Sequence, residues 1–175
     1  GRVIAAPRGK TLGGSSSING LVYNRGQAMD FDSWAQLGNR GWGYADILPY
    51  FKRLETRLGK GDPLYRGQSG EQVITDLDWR HPLCDAFVQA ARDMGMPVNE
   101  DYNGRTQEGV TYVQRTAKGR LRCSAAKAFL TPAKSRPNLH IITNAHTTSI
   151  QVEGGRATGV TFAKGGRHGI QQQVL

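Results

Sequence analysis

One run of residues constrains the fold of this chain more than any other part: residues 9–26, GKTLGGSSSINGLVYNRG. Because Gly13 and Gly14 have no side chains, main-chain N–H groups of the run can approach a ligand closely. The three serines at 15–17 add hydroxyl donors and favour the start of a short helix at the first or second of them. Helix N-termini present unpaired N–H groups and positive partial charge, so the run predicts a surface for a polar, anionic ligand.

The charge balance of the chain raises the question of a nucleic-acid partner. Lys and Arg number 23 against 14 Asp and Glu, which gives a net charge of +9 over 175 residues. The basic residues are scattered rather than grouped on one helical stripe, and no zinc-finger or aromatic RNA-binding motif is present. We therefore expect no nucleic-acid partner. No apolar stretch approaches the ~20 residues of a membrane helix, so we expect no transmembrane segment either.

Neither the cysteines nor the histidines are spaced like metal ligands. Cys84 and Cys123 lie far apart inside helical patterns, which favours reduced, structural thiols in a cytoplasmic protein. The four histidines form no HxH or HxxxH pair, so structural or exposed roles are favoured over metal binding and catalysis. They are His81 at a predicted helix start, His140 in a predicted strand, His146 and His168. Arg120 and Arg122 could reach a phosphate or a carboxylate, but a solvated face is favoured.

Hydrophobic periodicity predicts a mixture of helices and strands. The helices are expected over residues 30–37, 44–54, 82–94 and 124–130. The strands are expected over residues 71–77, 109–116, 139–143, which should be buried, 148–153 and 157–162, with a further strand beginning at 170. Gly154 and Gly155 suit a two-residue turn that joins the strands on either side of them into a hairpin. Residues 59–70 are rich in Gly, Asp, Pro and Ser and predict an exposed connection between domains.

The run at 9–26 resembles the first signature of the glucose–methanol–choline (GMC) oxidoreductases, FAD-dependent alcohol-oxidising enzymes. Agreement extends to every restricted position of that signature: Gly9, Lys10, Leu12, Gly13, Gly14, Ser15, Ser16, Ile18, Asn19, Tyr23, Gly26 and Asp32. Later segments resemble choline-dehydrogenase-like members, above all GRLRCSAAKAFLTP at 119–132 and RPNLHIITNA at 136–145. A dozen constrained positions rarely agree by chance, so a Gly/Ser-rich surface loop is the weaker interpretation.

The resemblance implies a fold class and a domain organisation. The fold is expected to be α/β of mixed α+β character: a fragment of an FAD/NAD(P)-binding-type flavin domain with part of a sheet-plus-helices substrate domain. Residues 1–60 correspond to the flavin-domain signature segment and its packing helices. Residues 61–135 correspond to part of the substrate-binding domain, and residues 136–175 return to the FAD-binding domain, incomplete in this chain.

The resemblance also implies which residues contact FAD. Four are expected alongside the isoalloxazine ring: Asn19, Gly20, Leu21 and Val22. Three are expected to face the ring or the ribityl and phosphate portion: Thr11, Gly14 and Ser15. Thr147 aligns with a residue, often Val, whose main chain holds the adenine. Some members carry a His near Ile18 that bonds covalently to the flavin, and since Ile cannot do so, non-covalent FAD is expected.

The implied reaction is oxidation of the CH–OH group of a small-molecule alcohol by hydride transfer to FAD, with the electron acceptor left open. The sequence contains no G-x-G-x-x-G turn for the FAD pyrophosphate and no C-terminal pair of His with His or Asn. We therefore expect an internal piece that lacks the catalytic base and is inactive alone. Two alternatives stay open: a non-redox flavin-containing relative of the hydroxynitrile lyase type, and an inactive remnant or interaction module.

Overall fold

Two helices follow the glycine-rich run and pack against each other. A computed structural model of the chain describes residues 1–164 and the backbone of 173–174. The helices are α1 (Ala28–Gln36) and α2 (Tyr44–Leu54), as the periodicity predicts. Both are held by ring contacts: the Phe31 ring lies 5.4 Å from that of Trp34 and 5.7 Å from that of Phe51, centroid to centroid. Aspartates fix the helix starts, since Asp30 accepts from the N–H of Gln27 and Asp32 accepts from the N–H of Tyr44.

A parallel strand pair continues directly from α2. It consists of β1 (Glu55–Leu58) and β2 (Gln72–Thr75), with Glu55 opposite Gln72. The irregular connection at 59–71 makes the crossover, in agreement with the turn-rich composition there. Ile74 of β2 is fully buried and lies in the small apolar core of this part of the chain. The second strand is shorter than the predicted 71–77, and the first was not predicted.

Helix α3 (Pro82–Asp93) begins and ends as the sequence predicts. His81 caps its N-terminus, because its Nδ1 accepts from the N–H of Leu83 at 3.2 Å. Gly95, with φ of 88°, follows the last turn in the left-handed conformation that glycine adopts freely. The helix contributes Ala91 to the core and leaves Leu83 and Phe87 exposed.

The prediction of a continuous strand at 109–116 is wrong. The segment is extended but makes single bridges to three different neighbours: Val110 pairs with Val98, while Arg115 pairs with Val22 and Thr75. No two consecutive residues share one partner strand, so no ladder forms. The segment instead connects the glycine-rich run to the parallel strand pair.

After the segment at 109–116 the chain forms a short hairpin and then a helix of mixed character. The hairpin strands are β3 (Ala117–Lys118) and β4 (Leu121–Arg122). The helix predicted at 124–130 is a π-helical turn, Ala126–Leu130, that leads into α4 (Thr131–Ala133). Thr131 closes the wide turn, since both its N–H and its hydroxyl donate to the carbonyl of Ala126, five residues earlier. Cys123 lies outside this helix, contrary to prediction, and is buried directly after β4.

The chain consists of two compact units, Gly1–Lys134 and Ser135–Leu175. The second unit is an antiparallel hairpin of β5 (Ala145–Glu153) and β6 (Arg156–Lys164), to which β7 (Gln173–Val174) adds along β6. Gly154 and Gly155 form its turn with φ of 56° and 77°, as a type I′ hairpin requires. The division into segments 1–60, 61–135 and 136–175 stays a prediction.

The buried strand predicted at 139–143 does not form. These residues have no ladder partner within the described part of the chain, and Ile141 and Ile142 are each 38 % exposed. An apolar run becomes a strand only where a second edge satisfies its N–H and C=O groups. The strand expected to begin at residue 170 lies largely outside the described residues.

Candidate functional site

The glycine-rich run folds into a tight turn followed by a 3₁₀ helix, Gly14–Ser17. The N–H of Gly14 donates to the Thr11 carbonyl at 2.9 Å, and the N–H of Gly9 donates to the Ser15 hydroxyl at 3.1 Å. A side chain at Gly9 would place its Cβ 2.3 Å from the Gly14 carbonyl oxygen. The main chain at residue 9 therefore lies closer to the main chain at residue 14 than a residue with a side chain would permit.

One side of the turn is open. A Cβ built on Gly14 or on Gly20 would meet no atom within 4 Å. Thr11, Ser15 and Asn19 are also exposed. Among the described residues, no acceptor is paired with the N–H of Gly20 or with that of Val22. The result is an accessible surface that carries free main-chain donors and, at two positions, no side chain in the way.

The segment at 19–22 is held in an unusual backbone conformation. The N–H of Asn19 donates to the Ser15 carbonyl at 2.9 Å, and Leu21 has φ of 69°, in the left-handed region that residues with a Cβ seldom adopt. The Leu21 carbonyl accepts from both the N–H and the hydroxyl of Thr116, at 2.9 and 3.3 Å. These bonds fix the left-handed residue, and the next residue, Val22, is 54 % exposed.

Seven of the eight predicted site residues lie on one short stretch, residues 11–22, in which Thr11, Ser15, Asn19, Gly20 and Val22 are exposed. The seven are Thr11, Gly14, Ser15, Asn19, Gly20, Leu21 and Val22. Thr147 belongs to the second unit, where it is an exposed residue of β5 opposite Phe162. Contact of these eight residues with a flavin stays a prediction.

Sequence reasoning missed the role of Arg122, for which it favoured a solvated face. The Arg122 guanidinium donates through Nη1 to Asn19 Oδ1 at 2.7 Å and to the Ser16 carbonyl at 3.1 Å. Close by, the N–H of Ala125 donates to the Ser16 hydroxyl at 2.9 Å. Arg120, two residues earlier, is exposed. Nothing in the local sequence distinguishes the two arginines, since the partners of Arg122 lie more than a hundred residues away in the chain.

A buried group of charged side chains includes Arg25 of the run, and sequence reasoning missed this group as well. Glu55 is fully buried between two guanidinium groups: its Oε1 lies 2.7 Å from Arg25 Nη2 and 2.7 Å from Arg66 Nε. Arg66 also pairs with Asp101 and donates to Gln114 Oε1 at 2.9 Å. Burial by itself would raise the pKa of Glu55, but the hydrogen bond from Arg66 and the charge of Arg25 hold that pKa below its usual value.

This buried group is connected to the glycine-rich run through main-chain bonds. The N–H of Arg25 donates to Asn103 Oδ1 at 2.9 Å, and the N–H of Tyr23 donates to the Gln114 carbonyl at 2.9 Å. Tyr102 donates its hydroxyl to the Tyr23 carbonyl at 2.7 Å. Burial raises the pKa of Tyr102, so its hydroxyl stays protonated as this bond requires. The network therefore anchors the segment that follows residues 19–22.

The histidines occupy separate places. His81 is the α3 cap, and His146 lies on β5 opposite Ala163. His140 is in irregular structure rather than the predicted strand, and His168 lies outside the described residues. Within residues 1–164, no three His, Cys, Asp or Glu side chains are grouped as a metal ion would need. None of the helices over the same residues has the length and hydropathy to cross a bilayer.

The chain is similar to known proteins over nearly its whole length. A family model described as GMC oxidoreductase matches residues 1–175. The oxygen-dependent choline dehydrogenase of Sinorhizobium fredii is 49 % identical over 166 residues, and that of Rhizobium meliloti is 48 % identical over the same length. Both alignments cover 95 % of this chain and 30 % of the relative. The chain therefore spans less than a third of the length of these relatives.

Solved structures give the same result. Pyridoxine 4-oxidase from Mesorbium loti superposes with a TM-score of 0.85 at 32 % identity, covering 95 % of this chain and 33 % of that one. An FAD-dependent oxidoreductase from Chaetomium thermophilum superposes with a TM-score of 0.86 at 29 % identity, covering 95 % and 31 %. The mixed α/β fold described above thus corresponds to about one third of the length of each of these enzymes.

Proposed function

This chain belongs to the GMC oxidoreductase family, and from that premise we propose that it forms the flavin-contacting part of an FAD-dependent enzyme that oxidises the CH–OH group of an alcohol. The observation that carries the proposal is the open side of the turn at residues 11–22, with its free main-chain donors. Choline, or an alcohol like it, is the proposed substrate, because relatives at 48–49 % identity bear the name of choline dehydrogenase.

The residues of the open surface fit a flavin. Gly14 and Gly20 allow a flat ring system to approach the main chain, and the N–H groups of Gly20 and Val22 can donate to the polar edge of the ring. No acidic residue occurs between positions 9 and 26, so no side chain of the run repels an anionic ligand. Ile18 carries no nucleophile and is 60 % exposed, which supports non-covalent binding of FAD.

The residues present indicate which roles belong to the cofactor and which belong to this chain. Residues 11–22 would hold the ring of FAD, which would supply a hydride acceptor for oxidation of the alcohol. Residues 11–22 of this chain orient the ring, and Thr147 is proposed to meet the adenine through its main chain. We assign no catalytic base to the residues described.

A reducing compartment is proposed for the protein. Cys84 is exposed and Cys123 is buried, and both are free thiols. Free thiols of this kind are typical of cytoplasmic proteins.

The proposal is tested with the protein expressed from its complete gene. We expect a yellow protein that reduces a dye acceptor when choline is added and that releases its flavin on acid denaturation. A protein without bound flavin would contradict the proposal, and flavin that stays attached after denaturation would contradict non-covalent binding. Bound flavin with no reduction of any dye by alcohols would favour a non-redox relative.

A matched pair of variants tests the surface itself. Gly20→Val places its Cβ where no protein atom lies within 4 Å, so we expect the dissociation constant for FAD to rise by ~10-fold or more, equivalent to about 1.4 kcal/mol, with little loss of stability. Ala86→Val adds the same kind of side chain at an exposed position of α3 and should leave FAD affinity unchanged. Equal FAD affinities in both variants would show that the flavin does not bind at this surface.

A further inference from the structure

The orientation of the Asn19 side-chain amide is determined by its neighbours. Its Oδ1 accepts from the N–H of Leu21 at 3.2 Å and from Arg122 Nη1 at 2.7 Å. Both neighbours are donors, so the amide oxygen must face them and the NH₂ group must occupy the other position. Among the residues the structure describes, Asn19 Nδ2 has no acceptor, and Asn19 is exposed beside the open surface.

Arg122 is itself well placed to enforce this orientation. It lies on β4, immediately before a segment that is hydrogen-bonded to the 3₁₀ helix. Nη1 reaches the Ser16 carbonyl at 3.1 Å, the N–H of Ala125 reaches the Ser16 hydroxyl at 2.9 Å, and that hydroxyl donates to the Gly13 carbonyl at 2.5 Å. A guanidinium donates in a fixed planar geometry, so its bond to Asn19 has a defined direction.

We propose that Arg122 is a positioning residue that acts through Asn19, turning the amide NH₂ toward the open surface as a hydrogen-bond donor to the flavin. The inference rests on the proposed function, since it assumes that a flavin lies on this surface. Without Arg122 the amide keeps one weak partner and can rotate, presenting its oxygen to the ligand instead. A donor beside the ring favours the more electron-rich reduced flavin, so Arg122 is also expected to raise the flavin reduction potential.

A solely structural role makes a different prediction. If Arg122 serves to hold Ser16 and the 3₁₀ helix, its loss lowers stability but leaves the flavin potential where it was. If it acts through Asn19, the effects of changing Arg122 and Asn19 overlap, because each change removes the same donor. A double-mutant cycle separates these cases.

The experiment uses the flavin-loaded protein expressed from its complete gene, with FAD as the ligand. The variants are Arg122→Met, Asn19→Ala, the double variant, and Arg120→Met as a control that removes the same charge from an exposed neighbour. We measure the FAD dissociation constant, the flavin reduction potential and the unfolding midpoint. Each single variant should weaken FAD binding ~10-fold and lower the potential, and the double variant should also be ~10-fold weaker rather than ~100-fold. Arg120→Met should match the wild type.

Asn19→Asp keeps the contact with Arg122 and replaces the amide donor with an acceptor, so it tests the inference even if Arg122→Met does not fold. Wild-type affinity and potential in Asn19→Asp would overturn the inference. Fully additive losses of FAD affinity in the double variant would also overturn it. So would an Arg122→Met protein whose stability falls while its FAD affinity and flavin potential stay at the wild-type values. A wild-type protein that binds no FAD would instead overturn the proposed function, and this inference with it.

Discussion

At the scale of single residues, the glycine-rich run contains glycines with different roles. Cβ atoms on Gly14 and Gly20 would meet no neighbouring atom, whereas one on Gly13 would clash, although Gly14 shares with Gly13 a left-handed φ, here 55°. Gly13 has φ of 87°, and a Cβ there would lie 2.5 Å from Ser17 Oγ and 3.1 Å from the main-chain nitrogen of Ala126. The same sequence pattern thus serves ligand access at some positions and close packing at another.

We expect Gly13→Ala to destabilise the protein by about 2–3 kcal/mol, because a backbone strain of about 1–2 kcal/mol is added to a steric conflict. Gly119→Ala provides the control: it has φ of 57° but an open neighbourhood, so it should show the backbone strain alone. Chemical denaturation of both variants measures the difference. Equal losses would show that the contact with Ala126 is relieved without cost.

At the scale of elements, the β5–β6 hairpin is the part of the chain that local sequence specifies best. Gly154 and Gly155 supply two consecutive positive φ angles, and the strands on either side pair over most of their length. A type I′ turn matches the right-handed twist of paired strands, and glycine or asparagine adopts it most readily. The predicted hairpin is confirmed for this reason.

Gly154→Asn should stabilise the hairpin by about 0.4–1 kcal/mol, because Asn tolerates φ of 56° and restricts the unfolded chain more than Gly does. Gly154→Val should do the reverse, since a β-branched residue is strained in the left-handed region. Amide hydrogen exchange at residues 150 and 160, which pair across the hairpin, reports both changes. Slower exchange in the Val variant would contradict the assigned turn type.

At the scale of the whole molecule, charged side chains bring together segments that are distant in sequence. Glu55 receives Arg25 from the glycine-rich run and Arg66 from the β1–β2 crossover, and Arg66 continues to Asp101. Removing one partner from such a buried group leaves the others without compensation. The position of the run on the parallel strand pair therefore depends on Glu55.

Glu55→Gln should cost about 3–5 kcal/mol of stability at neutral pH, since it leaves two buried guanidinium groups short of a counter-charge. The pKa of Glu55 is lower in the folded chain than in the unfolded one, where it is ~4.3, so its contribution is fully present above that value and is lost as pH falls through the folded pKa. Urea denaturation between neutral and acidic pH should therefore show wild type and Glu55→Gln converging as pH falls.

Glu100→Gln is the matched control, because the Glu100–Lys60 pair at 2.8 Å is exposed at both partners. An exposed pair contributes little, so the stability of this variant should follow that of the wild type at every pH. A constant difference between wild type and Glu55→Gln down to strongly acidic pH would contradict the assigned role of the Glu55 carboxylate.

Sequence alone determined the features that depend on near neighbours. Helix α2 begins and ends where periodicity places it, α3 ends before Gly95, and the hairpin turns at its two glycines. The motif at 9–26 likewise indicated the family, because its glycines and hydroxyl-bearing residues follow one another in a single run that can be recognised in the sequence. These features follow from local spacing, backbone preference and a compact signature, all of which can be read along the chain.

Only the tertiary structure decided the rest, because it depends on partners far apart in the sequence. The segment at 109–116 has strand composition but divides its bonds among three neighbours, and 139–143 pairs with no strand among the described residues. Arg122 and Arg120 are alike in sequence, yet one reaches Asn19 and the other is exposed. The charged partners grouped around Glu55 come from residues 25, 66 and 101, which the fold brings together. Hydrogen bonds and ion pairs of this kind are set by three-dimensional proximity, which no local pattern encodes.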